Sequence, residues 1–135
     1  MSYRTKRELE LMPVLSILQY PDSRLRLKAA PVENIDEKIQ NLITNMLETM
    51  WDANGIGLAA TQVDVQQRII VMDLQGDRIN PRVFINAELA ILDKTPSSFD
   101  EGCLSIPEVV ESVERPSKVL IRAMDGKGKW FEEEA

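Results

Sequence analysis

A chain of 135 residues, 44% hydrophobic and 28% charged, has the size and balance of one ordinary globular domain. Its net charge of −6 offers no basic face to neutralise phosphates, which argues against a nucleic-acid binder. A single cysteine excludes an internal disulfide and points to a reducing cytoplasm, while the absence of histidine excludes Cys-His and Ser-His pairs and any metal site that needs imidazole. No apolar run approaches the roughly 20 residues that span a bilayer, so no membrane partner is expected. The N-terminus is no signal peptide, because Arg4, Lys6 and Arg7 are followed by Glu8 and Glu10 rather than by an apolar stretch.

Residues 1–12 are polar and charged and read as a loosely held extension, with the domain proper at 13–135. Val14 to Leu18 is the first apolar run, Tyr20-Pro21-Asp22 reads as a turn, and Leu25 to Pro31 as a connector. One helix is expected from about Glu37 to Ala53, with Asp36 as N-cap and Glu37 favourable in the first turn. Ile35, Ile39, Leu42, Ile43, Met46, Leu47 and Met50 recur at three- and four-residue steps and form one apolar stripe. Asn54-Gly55 stops the helix, glycine being suited to the left-handed C-terminal position. Gly55 to Val63 then reads either as a tightly packed loop or as a backbone edge that a ligand can approach, closed by the amide of Gln62.

Strands follow at Arg68–Asp73, Val83–Ile85, Leu89–Leu92, Val109–Val113, Lys118–Met124 and Lys129–Glu132. Turns are expected at Gln75–Asp77 and Arg115-Pro116, a loop at Thr95–Ser98 and a hairpin turn at Asp125–Gly128. Between these lies Glu101-Gly102-Cys103-Leu104-Ser105-Ile106-Pro107, which holds the only thiol. By itself Cys103 is a buried small hydrophobe, a metal ligand or a nucleophile.

Gly55-Ile56-Gly57-Leu58-Ala59-Ala60-Thr61-Gln62 and Glu101-Gly102-Cys103-Leu104-Ser105 resemble the first and second signature motifs of the peptide deformylases, in order and separated by strands. The resemblance runs from Val14 onward. It implies an α+β fold of mostly antiparallel strands packed around a helix. It also implies metal-dependent removal of the N-formyl group from the initiator methionine of nascent chains, in the cytoplasm and near the ribosome. By motif position Cys103 is the metal ligand, for Fe2+ with Zn2+ or Ni2+ as possible substitutes. Gln62 and the backbone N–H of Leu104 hold the developing oxyanion. Gly55, Ile56 and Gly57 line the methionine pocket and pair with the formyl-methionyl peptide, and Glu101 is a supporting partner, to Arg115. The family's third motif, His-Glu-x-x-His, is missing, and Val110 stands where many members carry arginine. The expectation is an inactive N-terminal portion of a deformylase that lacks the C-terminal metal-binding helix. The alternative is a non-catalytic relative that binds a peptide or protein partner.

Overall fold

Helix α1 spans Glu37–Asp52, and both its ends are built as the side chains dictate. Asp36 Oδ1 accepts from the Ile39 N–H at 3.0 Å, and Glu37 lies in the positive first turn. At the C-terminus the Gly55 N–H reaches Met50 O at 2.9 Å and the Asn54 N–H reaches Trp51 O at 3.0 Å, which closes the last turn. The left-handed residue is Asn54, with φ of 56°, rather than Gly55. Asparagine tolerates that region because its short side chain bonds locally.

A computed structural model describes residues 14–103 and 105–135; along 96–103 and 106–114 it describes the backbone path alone. Residues 1–12, expected as a loose extension, lie outside the described residues. After α1 come β1 (Gly57–Ala59), a 3-10 turn at Ala60–Val63, β2 (Ile69–Met72), β3 (Arg82–Cys103), β4 (Ile106–Met124) and β5 (Trp130–Glu134). The strands form one sheet in the order β1-β2-β3-β4-β5, with every neighbouring pair antiparallel. One helix on an antiparallel sheet is the expected α+β arrangement.

The stripe on α1 meets the sheet at its β1–β2 end. Ile39, Ile43, Met46 and Met50 are buried against Leu58, Ile69, Val71 and Ile85, with Val32 and Val63 closing the rim. Leu42 and Leu47, expected on the same stripe, are only partly buried, and Thr49 takes a buried place instead. Its hydroxyl donates to Asn45 O and accepts from the Leu15 N–H at 2.8 Å, so the buried polar atom is paired and ties the N-terminal segment to the helix.

The strands are fewer and longer than the sequence pattern predicts. Val83–Ile85 and Leu89–Leu92 are one strand, because the break between them is a bulge at left-handed Asn86. Thr95–Ser98 and Arg115-Pro116, expected as a loop and a turn, lie inside β3 and β4, with Pro96 directly opposite Pro116. Beyond the partnered part of the sheet β3 and β4 form a two-stranded ribbon, with no further strand on either edge among the described residues. Proline is tolerated there, and the register slips on either side of Asp93 absorb the mismatch. The Asp125–Gly128 turn is as expected: Asp125 Oδ1 accepts from the N–H groups of Lys127 and Lys129, and Gly128 adopts φ of 83°. No helix among the described residues is long and apolar enough to cross a membrane.

Candidate active site

The glycine-rich motif is a short edge strand running into a turn. Among the described residues β1 pairs only with β2, Gly57 opposite Met72 and Ala59 opposite Ile70, so its other edge has no sheet partner there. Glycine and alanine carry little strand propensity, and it is the pairing with Ile70–Met72 that makes this segment a strand. Leu58 is buried and fixes which way the strand faces, while Ile56 at its start is 54% exposed. A β-carbon added at Gly57 would meet only Val71 O at 3.8 Å and Met72 Cγ at 4.0 Å, ordinary contact distances. The fold does not demand glycine at 57, so the bare backbone there serves something other than packing.

Buried Ala60 and Val63 hold the following 3-10 turn, which ends at left-handed Asp64. Gln62 sits between those anchors and reaches back. Its Oε1 accepts from the Ala59 N–H at 3.0 Å, so Nε2 must point the other way, and it donates to Ser105 Oγ at 3.0 Å. A flipped amide would set N–H against N–H. Glutamine here does the work of the returning side chain in a capping box.

The thiol motif reaches this turn through the tip of the β3–β4 hairpin. Glu101 lies opposite Glu111, Gly102 opposite Val110 and Cys103 opposite Ile106, with a register slip at Gly102/Cys103. The side chains of Glu101 and Cys103, and the whole of Leu104, lie outside the described residues. Arg115 is exposed and stands opposite Ser97, four positions along the ladder from Glu101. Ser105 is only 4% exposed, and through Gln62 it is a point of contact between the two motifs.

A third segment clasps both. The Leu18 N–H donates to Gln62 O and the Tyr20 N–H to Ser105 O, each at 2.7 Å, from alternate residues of one extended stretch. Arg24 then bonds Asp22 at 2.7 Å and Asp64 at 3.0 Å, linking the turn after the clasp to the end of the Gln62 turn. The Arg24 side chain, and then its backbone N–H, hold the Asp22 carboxyl down to about 2.

Asp73 fixes the entrance to β1. Its N–H donates to Ile56 O at 2.9 Å, and its carboxylate accepts from Trp51 Nε1 at 2.9 Å, the Arg78 N–H at 2.9 Å and the Gly76 N–H at 3.1 Å. Burial alone would raise this acid. The Trp51 bond, the two backbone donors and the nearby Arg78 charge outweigh it, and its pKa is lowered. Sequence reasoning missed both Asp73 and Ser105. Each had a signal: Asp73 ends an apolar strand where a charge must be paired, and Ser105 is the polar residue inside an otherwise apolar Cys103–Pro107 run.

Among the described residues no three histidine, cysteine, aspartate or glutamate side chains gather so as to hold an ion, and the chain has no histidine. An apolar cleft of about 190 Å3 borders the Gln62 turn, walled in part by Ala59, Thr61, Ile69 and Phe84; Gly55, Ile56 and Gly57 are not among its walls.

Residues 14–135 match the sequence profile of a family described as polypeptide deformylase. The peptide deformylase of Pseudomonas aeruginosa is 53% identical over 124 residues, which is 92% of this chain and 74% of that protein. A crystal structure of a peptide deformylase from Legionella pneumophila superposes with a TM-score of 0.86 at 43% identity, covering 90% of this chain and 72% of that one. A peptide deformylase from Synechococcus elongatus, solved in complex with actinonin, gives a TM-score of 0.87 at 37% identity, covering 92% and 68%.

Proposed function

From the premise that the chain belongs to the polypeptide deformylase family, we propose that these 135 residues supply the peptide-holding and carbonyl-polarising parts of a deformylase. The reaction is hydrolysis of the N-formyl group from the initiator methionine of nascent polypeptides in the cytoplasm. One observation carries the reading: the open edge of β1 leads within three residues to the locked carboxamide of Gln62. An extended formyl peptide can add to that edge as a further strand through main-chain hydrogen bonds. Gly55, Ile56 and Gly57 border its methionine end. Gln62 Nε2, with the N–H of Leu104, then donates to the oxygen that becomes negative as water attacks the formyl carbon. A donor held in place before the reaction is worth roughly 3–4 kcal/mol, because it need not reorganise when the charge forms.

In this reading Cys103 is the family's sulfur ligand, Glu101 and Arg115 support the segment that carries it, and the metal is divalent, iron above zinc or nickel. The residues present do not fit such an ion, since there is one thiol and no imidazole accompanies it. No step is therefore assigned to a metal here. The same observation favours a second reading, in which the chain binds a peptide without cleaving it.

Turnover of formyl-Met-Ala-Ser by the metal-supplemented 135-residue chain tests this directly. The expected rate equals that of a Cys103→Ala control. A chimera, in which the unmatched remainder of the Pseudomonas aeruginosa relative is joined to this chain, is expected to be active. In it Gln62→Leu is expected to lower kcat about 100-fold with KM little changed. Activity of the short chain alone, or a Gln62→Leu effect confined to KM, contradicts the assignment. A chimera that binds the peptide but never cleaves it favours the binder.

A further inference from the structure

Gln62 has three side-chain torsions, is only partly buried, and belongs to a turn 43 residues away from the thiol motif. A carboxamide so placed would sample several rotamers, and an oxyanion donor gains its effect only when it is held in advance. We propose that Ser105 is the positioning residue for Gln62, holding its amide group so that it faces the thiol motif. The inference rests on the deformylase reading of Gln62 and extends it to a residue that reading does not use.

Four contacts carry it. Ser105 Oγ, buried, accepts from Gln62 Nε2 at 3.0 Å. Gln62 Oε1 is committed to the Ala59 N–H at 3.0 Å, so both ends of the carboxamide are held and its plane is set. Ser105 O accepts from the Tyr20 N–H and Gln62 O from the Leu18 N–H, each at 2.7 Å. The serine and the glutamine are thus joined twice, directly through side chains and indirectly through one extended segment that grips both backbones. The main-chain links fix the distance between the loops, and the hydroxyl fixes the rotation of the amide. Alanine at 105 would keep the first and lose the second. Threonine would keep both.

Hydrogen exchange of the Gln62 side-chain amide, followed by NMR in the uniformly 15N-labelled 135-residue chain, tests the clamp without recourse to activity. Ser105→Ala is expected to speed that exchange about 10-fold or more while the Leu18 and Tyr20 amides keep their protection, and Ser105→Thr to stay near the parent rate. A Gln62 amide that exchanges freely in the parent chain, or one unmoved by Ser105→Ala, overturns the proposal. So does equal loss of protection at Leu18 and Tyr20, since the serine would then be holding the loop rather than the amide. In the active chimera Ser105→Ala is expected to lower kcat about 10-fold with KM within about twofold, and threonine to restore it. An unchanged kcat overturns the catalytic consequence. A Gln62→Leu chimera with normal kcat would instead bring down the oxyanion reading, and that failure is distinguishable because the exchange result does not depend on it.

Discussion

The two ends of the β3–β4 pair are made from similar residues and have opposite fates. At one end Ile85 is fully buried in the core beneath α1, and Phe84, on the opposite face, is 5% exposed beside Phe131 and Arg82. A few residues on, Leu89, Ile91 and Leu92 are 69%, 54% and 48% exposed. Leu89 and Ile91 share one face of the strand and the exposed Glu88 and Ala90 share the other, so both faces are open there. The difference lies in what sits across from the side chains. A strand buries its apolar face only where a second layer lies over it, and at Leu89–Leu92, where β3 runs beside β4 and β4 beside β5, the described residues provide none. Stability belongs to the helix-covered half, and the candidate site sits on the outer edge of that half, with the thiol motif brought to it by the far end of the ribbon.

The comparison is broken most severely by a cavity on the covered side. Met46 is fully buried, and Met46→Ala is expected to cost about 2–5 kcal/mol in chemical denaturation. A loss under about 1 kcal/mol would show that the core is loosely packed and the contrast unreal. Asn86 stands at the boundary, donating to Val32 O and accepting from the Val32 N–H while its own φ is 55°. Asn86→Ala removes both bonds and leaves alanine in a left-handed conformation, for an expected loss of about 1–3 kcal/mol.

Acid sharpens the contrast, because each half holds a lowered carboxyl. Asp73 is buried among donors from Trp51, Arg78 and Gly76, and Asp93 is held down mainly by the Thr95 N–H on the ribbon. Both folded pKa values lie below the ordinary 3.8, so each contribution is present above about pH 4 and lost as pH falls through the folded value. Asp73→Asn is expected to lower Tm at pH 7 and to flatten the fall in Tm between pH 4 and pH 2, whereas Asp93→Asn leaves both nearly unchanged. Equal effects from the two would mean that ribbon and core unfold as one unit. Leu89→Ala is the smallest change, within about 0.5 kcal/mol, since its side chain is already largely in water. Amides of residues 88–95 are correspondingly expected to exchange at least ~100-fold faster than those of 69–72.

The helix was legible because its information is local: an aspartate cap, a first-turn acid and apolar residues at steps of three and four all act within a few turns of chain. The Asp125–Gly128 hairpin was legible for the same reason. Both motifs could be read as motifs, and their resemblance to the deformylases agrees with the family profile over residues 14–135. The length of β3 and β4 was not legible. Thr95–Ser98 and Arg115-Pro116 carry strong turn composition, and only the pairing of each with the other, Pro96 against Pro116, makes them strand. Nor was β1, three residues with two of low strand propensity, which become an edge through pairing centred on Leu58 and Val71, thirteen positions on.

Within the site, the sequence by itself determined which groups are available: one carboxamide in the Gly55–Gln62 motif, one thiol, no imidazole. Tertiary structure decided how they are held. It set Ser105 against Gln62, drew Leu18 and Tyr20 across both, and made Asp73 the knot beneath Ile56. Capping and periodicity are interactions between near neighbours, so composition and spacing reveal them. A hydrogen bond between residues 43 apart exists only once the chain has turned back on itself, and nothing in the spacing of two motifs records that return.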